Sequence, residues 1–176
     1  MREPCPVNDG MEDGTEAIAM KADLRVLQFA LVATITACLC GNIRGNLCVG
    51  FRTGIFIKAH SAPYQIEHNT VDGRGHGLGF GSTRWSPGQR FARNIIFDCA
   101  RELDHLPPLR DGEVRSIDFN CYWSPSRVDV KPIGAHDLVA DPLFVNAANR
   151  DFRLEPNSPN IGAGKNGTTI GATPER

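Results

Sequence analysis

The sequence has almost no net charge, no zinc-type cysteine pair and no apolar run long enough to cross a membrane. Its formal net charge is -1 at pH 7, which argues against a nucleic-acid-binding protein because those proteins present a basic face. It contains 6 cysteines, but no two of them have C-x-x-C spacing, so nothing indicates a structural zinc site. Convincing helical periodicity is also missing. The 18 glycines and 12 prolines instead favour a fold with many turns.

The first forty residues allow two interpretations. Residues 1–19 are polar and acidic, and this composition predicts a poorly ordered segment. Residues 20–40 combine a basic start with an apolar stretch that is short for a membrane span, which favours a secretory signal if Met20 is the true start. Residues 35–38 then resemble a lipoprotein cleavage box, with lipidation of Cys38 attaching the protein to a membrane. The alternative is that residues 24–40 form strands or a helix closing one end of the core.

From residue 43 onward a short pattern recurs four times. It consists of an apolar residue, two variable residues, an asparagine, one variable residue and a second apolar residue. The asparagines, 23, 25 and 26 residues apart, are Asn46, Asn69, Asn94 and Asn120. A second apolar position follows nine residues after the first three of them, at Ile55, Leu78 and Leu103.

This spacing predicts a solenoid of stacked coils. One repeat is too short to bury its own apolar face, so neighbouring repeats must cover each other. Short β-branched and aromatic runs bounded by glycine and asparagine favour strands, and stacking them coil on coil makes parallel sheets. We therefore expect the asparagines to stack and hydrogen-bond along residues 41–135. A β-sandwich is the main alternative, and it would contain hairpins every 8–12 residues.

Several strings also resemble known proteins. Residues 66–73, 93–97 and 116–123 look like coils of the right-handed parallel β-helix proteins of the pectin-lyase-like superfamily. Residues 140–145, 151–154, 158–164 and 170–172 look like the module that follows the last coils of many secreted bacterial members. The resemblance covers about residues 43–172. It implies an all-β, right-handed parallel β-helix, here a short solenoid with a C-terminal capping extension over residues 136–176.

The resemblance also implies a role with carbohydrate. Family lyases abstract a proton next to a uronate carboxylate, which requires a base and a cation or Ca²⁺ to stabilise the enolate. His68 and Arg93 precede the repeat asparagines in neighbouring coils, and Lys58 follows a second-register strand, so these three are the catalytic candidates. His76, Arg84 and Trp85 are the candidates for substrate binding. No cofactor is evident from the sequence, and Ca²⁺ is the one the family chemistry would use.

Three alternatives stay open at this stage. A glycoside hydrolase would need two carboxylic acids at a defined separation, for which Asp72, Asp98, Glu102 and Asp104 are available. A non-catalytic adhesion or structural module fits the small number of coils, as does a fragment of a longer β-helix protein. The leading expectation is a secreted or surface-attached bacterial protein that binds or cleaves an acidic polysaccharide, with no nucleic acid as partner.

Overall fold

The structure is a computed structural model, and nearly all of its regular structure is β-strand. It describes residues 34–35, 41–50, 52–57, 63–73, 75–81, 85, 87–112 and 114–172. Within these ranges no helix is long and apolar enough to cross a membrane. Residues 1–33 and Cys38 lie outside the described residues, and so do the predicted site residues Lys58 and Arg84.

Three parallel sheets carry the repeat. The first sheet consists of β1 (Thr34–Ile35), β4 (Thr53–Ile57), β7 (His76–Phe80) and β10 (Arg101–Asp104). The second sheet consists of β2 (Gly41–Arg44), β5 (Tyr64–Glu67), β8 (Arg90–Ala92) and β11 (Ser116–Asp118). The third sheet consists of β3 (Leu47–Val49), β6 (Thr70–Asp72), β9 (Ile95–Phe97), β12 (Cys121–Trp123) and β13 (Leu138–Val139). Each full coil gives one strand to each sheet, which is the arrangement of a parallel β-helix-like solenoid.

The strands pair in the register that the repeat predicts. Ile55 lies opposite Leu78, and Leu78 opposite Leu103, in the first sheet. Ile66 and Phe91 are likewise paired in the second sheet, and both are fully buried. Because each apolar side chain is covered by its counterpart one coil away, the repeats share a single core. All pairings in these three sheets are parallel, so the hairpins of a sandwich are not found there.

A column of asparagine side chains runs along the turn between the second and third sheets. Asn46 Nδ2 donates to Asn69 Oδ1 at 2.9 Å, Asn69 Nδ2 donates to Asn94 Oδ1 at 2.9 Å, and Asn94 Nδ2 donates to Asn120 Oδ1 at 3.1 Å. Each oxygen also accepts the backbone N–H of the preceding asparagine at 3.0 Å. The last three side chains are fully buried. The predicted stacking of these amides is confirmed, and the column satisfies polar groups that burial would otherwise leave unpaired.

A carboxylate ends this asparagine column. Asp137 Oδ1 accepts from the backbone N–H of Asn120 at 2.7 Å, where a fifth asparagine would stand. Its other oxygen accepts from the backbone N–H groups of Ile133 at 3.2 Å and Gly134 at 2.6 Å. Since both oxygens of this carboxylate accept hydrogen bonds and it has no N–H group to donate to a further amide, the column stops there.

The residues after the last coil contact the outer side of the third sheet. β14 (Phe144–Asn146) and β15 (Asp151–Leu154) form an antiparallel pair, and Ile170 is fully buried in an apolar cluster with Ile95 and Cys121. Phe97, Leu138, Phe144, Leu154 and Ala163 pack around this cluster. Apolar side chains that point out of the coil are thereby removed from water, which favours this arrangement.

Candidate functional site

A turn of two residues joins the second sheet to the third in each of four coils. Its second residue is the column asparagine, and its first is Gly45, His68, Arg93 or Phe119 in successive coils. All four first residues have left-handed backbone, with φ of 69°, 54°, 57° and 58°. Left-handed geometry is costly for residues other than glycine, so the surrounding hydrogen bonds must hold it. The first turn position recurs at the same place in these four coils, is exposed or half-buried, and varies in chemistry.

A carboxylate at the end of β5 holds two arginines from the next coil. Glu67 Oε1 lies 3.2 Å from Arg90 Nε, and Glu67 Oε2 accepts from Arg93 Nη2 at 2.7 Å. The Glu67 side chain is 10% exposed and that of Arg93 12%. These are therefore charge-assisted contacts largely removed from water, where they are stronger than on an open surface.

The ring of His68 is engaged by the same arginine. Arg93 Nε donates to His68 Nε2 at 2.8 Å, so the lone pair of this nitrogen is occupied and the ring is neutral. Burial is the main cause that lowers the pKa of His68, and the charges of Arg93 and Arg44 lower it further. Glu67 and a backbone hydrogen bond with Gly171 act in the opposite direction. The geometry thus favours a hydrogen-bonded, uncharged imidazole.

A third arginine completes the cluster. Arg44 lies opposite Glu67 in the strand register, and it is exposed. Two guanidinium groups therefore contact one carboxylate and a third lies on the preceding coil, which leaves the group cationic while His68 is neutral. We call this set, Arg44, Glu67, His68, Arg90 and Arg93, the basic edge. It can attract an anionic chain that runs across the coils.

The C-terminal residues contact the basic edge from one side. The backbone N–H of Gly171 donates to the carbonyl of Arg93 at 2.8 Å. A Cβ atom added to Gly164 would lie 3.2 Å from Arg93 Cδ and closer still to Thr168, so the chain approaches tightly here. These contacts restrict Arg93, whereas Arg44 is exposed and the side chain of Arg90 is 32% exposed.

The structure brings together only part of the predicted site. His68 and Arg93 are in contact, as the register suggested. His76 lies in the first sheet, where its Nδ1 is 3.3 Å from Asp104 Oδ2, and it does not join the basic edge. Trp85 is 3% exposed and packs against Phe80 with ring centroids 5.7 Å apart, so its indole belongs to the core. Lys58 and Arg84 lie outside the described residues.

Three residues of the basic edge, Arg44, Glu67 and Arg90, were missed by sequence reasoning. The signal was nevertheless available for Arg44 and Glu67, which are 23 residues apart like Asn46 and Asn69. Both residues precede their column asparagine by two positions. Because equivalent positions of stacked coils lie side by side in a parallel sheet, the two residues are expected to be neighbours. Arg90 lies one further pair of residues back in its own coil.

A second polar cluster lies where the third sheet turns into the first. It lines a cavity of about 350 Å³ with Asp98, Cys99, Ala100, Ser124, Ser126 and Arg127. Ser124 Oγ donates to Asp98 Oδ1 at 3.0 Å, and Arg127 Nη1 donates to Glu102 Oε1 at 2.8 Å. Both carboxylates considered for hydrolysis here are thus engaged by neighbours. Ser124 and Arg127 were not identifiable from the sequence, because they belong to a loop outside the repeat.

No metal centre is formed by the residues that the structure describes, since they contain no suitable group of three or more His, Cys, Asp or Glu side chains. No protein-family model, curated protein or solved structure matches the chain. The class of protein is therefore given by its own architecture, which is nearly all β with three stacked parallel sheets.

Proposed function

We propose that the protein is a secreted or surface-attached, right-handed β-helix protein that binds an acidic polysaccharide along the basic edge. The observation that carries this proposal is the set of three arginines on the coils either side of Glu67, two of which contact its carboxylate. Uronate carboxylates and guanidinium groups form charge-assisted, planar contacts. The right hand is supported by the roughly 98% preference for right-handed crossovers between parallel strands.

Binding is favoured over cleavage by the state of His68. A β-elimination base needs a free lone pair directed at the substrate, and the Nε2 lone pair of His68 accepts from Arg93 at 2.8 Å. Arg93 itself is held by Glu67, so it is already neutralised rather than awaiting an enolate. Arg44 and Arg90 are the more accessible cations, and they offer contacts to carboxylates without any chemical step.

The binding proposal is tested with defined polymers. Pectate, alginate and chondroitin sulfate are titrated into the full-length protein by calorimetry, with neutral dextran as control, while ultraviolet absorbance follows unsaturated products. We expect binding of at least one anionic polymer, weakened by added salt, without a rise in absorbance. Absence of binding to all three anionic polymers would reject the proposal, and unsaturated products would replace binding by lyase activity.

The site is tested with arginine variants. We expect Arg44→Ala to weaken the affinity about two- to five-fold, in line with the small energy of an exposed ion pair, and Arg44→Ala/Arg90→Ala to weaken it further. Arg101→Ala is the matched control, because this side chain is 68% exposed in the first sheet. Equal losses in Arg44→Ala and Arg101→Ala would show that the anion binds elsewhere.

A further inference from the structure

The coil after the basic edge replaces its cation by two stacked rings. Phe119 occupies the first turn position in the coil next to Arg93, and the ring of His136 lies on it with centroids 4.7 Å apart and an interplanar angle of 5°. The His136 side chain is 62% exposed. Since Phe119 covers one face of this imidazole, its exposure arises on the other face and at the ring edge.

The carboxylate of Asp118 fixes the imidazole of His136 in place. Asp118 Oδ1 accepts from the backbone N–H of His136 at 2.7 Å, and Asp118 Oδ2 lies 2.7 Å from His136 Nδ1. Burial raises the pKa of Asp118, but its hydrogen bonds with His136 outweigh burial, and the net pKa is lowered. The carboxylate is thus ionised at neutral pH. One of its oxygens holds the backbone of His136 and the other holds the ring, so the orientation of the imidazole is fixed.

The loop that carries His136 is equally constrained. A Cβ atom on Gly134 would lie 2.2 Å from the carbonyl oxygen of Ile117 and 2.8 Å from Asp118 Cα, so the loop lies directly on β11. Asp137 accepts from the backbone N–H of Gly134 at 2.6 Å and ties the loop to the end of the asparagine column. An exposed, flat surface is therefore held rigid, which reduces the ordering cost when a ligand binds.

We propose that the stacked Phe119 and His136 rings form a platform for one sugar ring of the polysaccharide, next to the basic edge. This inference rests on the proposed function. The apolar face of a pyranose suits a flat aromatic surface, while the carboxylates of the same chain pair with arginines one and three coils away. Because neighbouring coils are about 4.8 Å apart, platform and cations are close enough to engage one chain. The platform thereby makes the edge selective for a sugar polymer over other polyanions.

The experiment compares two anions and four proteins. Alginate oligomers and polyphosphate of similar charge are titrated into the wild type, His136→Gln, His136→Phe and, as the exposed-histidine control, His105→Ala. We expect His136→Gln, which removes the ring but keeps a hydrogen-bonding side chain, to weaken alginate binding about three- to ten-fold. The affinity of His136→Gln for polyphosphate should stay within about two-fold of the wild type. The control His105→Ala should change neither affinity by more than that. His136→Phe should restore most of the alginate affinity.

Each outcome decides one of the two proposals. Absence of alginate binding by the wild type would overturn the platform, and the Arg44→Ala and polymer titrations above decide the proposed function separately. Unchanged alginate affinity in His136→Gln, with weakened affinity in Arg44→Ala, would overturn the platform alone. Equal losses for alginate and polyphosphate would also overturn it, because they would show an electrostatic role. Thermal unfolding of each variant identifies any loss of affinity that is caused by misfolding. If His136→Gln misfolds, the affinity of His136→Phe for alginate, which should be close to that of the wild type, supplies the test.

Discussion

The two positions of the turn between the second and third sheets are adjacent in sequence and opposite in behaviour. The second position is asparagine in four successive coils, and these side chains hydrogen-bond to one another inside the solenoid. The first position is glycine, histidine, arginine and then phenylalanine, and it is exposed or half-buried. Inside, each amide must match the amide above and below it. Outside, the same backbone geometry accommodates four different residues, so this outer column is where binding chemistry can vary without loss of the fold.

The largest effect should come from breaking the inner column at its middle. Asn94 Nδ2 donates to the carbonyls of Ile66 and Ala92 at 2.9 and 3.0 Å, besides its contact with Asn120. Asn94→Ala removes these bonds and leaves buried groups unpaired, so we expect a loss of about 2–4 kcal/mol in the free energy of unfolding. Denaturant titration measures it.

Asn46→Ala is the matched control for this variant, because Asn46 is only half-buried at the first described coil. We expect it to cost about 1 kcal/mol, as for one ordinary hydrogen bond. Equal losses in the two variants would contradict the idea that burial of the inner column, rather than the turn itself, provides the stability.

The end of the column should be the next most sensitive place. Asp137 accepts four hydrogen bonds, including those of the Asn120 backbone and side chain at 2.7 and 3.3 Å. Asp137→Asn has only one accepting oxygen and turns an amide toward two N–H groups, so we expect a loss of about 1–3 kcal/mol. Hydrogen exchange of the Gly134 and Asn120 amides would locate the damage. Protection that is unchanged at both amides would contradict the assigned role.

The sequence predicted the inner column better than the outer one, for a physical reason. Residues that must match their neighbours recur with the coil, so Asn46, Asn69, Asn94 and Asn120 stand out. Residues outside the shared core recur only in position, so Glu67 and Arg90 carry no repeated letter. The contact of His136 with Asp118 arises from a loop outside the repeat and has no periodic signal. Trp85 was an ambiguous case, because tryptophan serves both cores and sugar sites, and only packing against Phe80 decides where it lies.

The carboxylate of Glu67, which lies beside the outer column, can be altered with a smaller effect on stability and with a gain in binding. Glu67→Gln leaves Arg93 and Arg90 without a carboxylate, and we expect a loss of about 1–2 kcal/mol in the free energy of unfolding. The two arginines would then be available to an anionic chain, so alginate affinity should rise. Asp111→Asn changes the same charge at an exposed position and should alter neither quantity much. A fall in affinity for Glu67→Gln would contradict the basic edge as the binding surface.

The smallest effect should be the pH dependence that His68 gives to the outer column. Its pKa is lowered in the folded protein, first by burial and then by the charges of Arg93 and Arg44. Below its ordinary pKa of about 6.5, the unfolded chain takes up a proton that the folded protein resists, because protonated Nε2 would oppose the Nε–H of Arg93. Stability from this group is therefore complete above the ordinary pKa and is lost as the pH falls through the folded pKa. His68→Asn, which tolerates the left-handed backbone, should flatten that part of the profile in denaturant titrations across the acid range. Parallel profiles for the wild type and His68→Asn would assign the acid sensitivity to other groups, among them Asp118. A flatter profile would show that the outer column, unlike the inner one, responds to solution conditions.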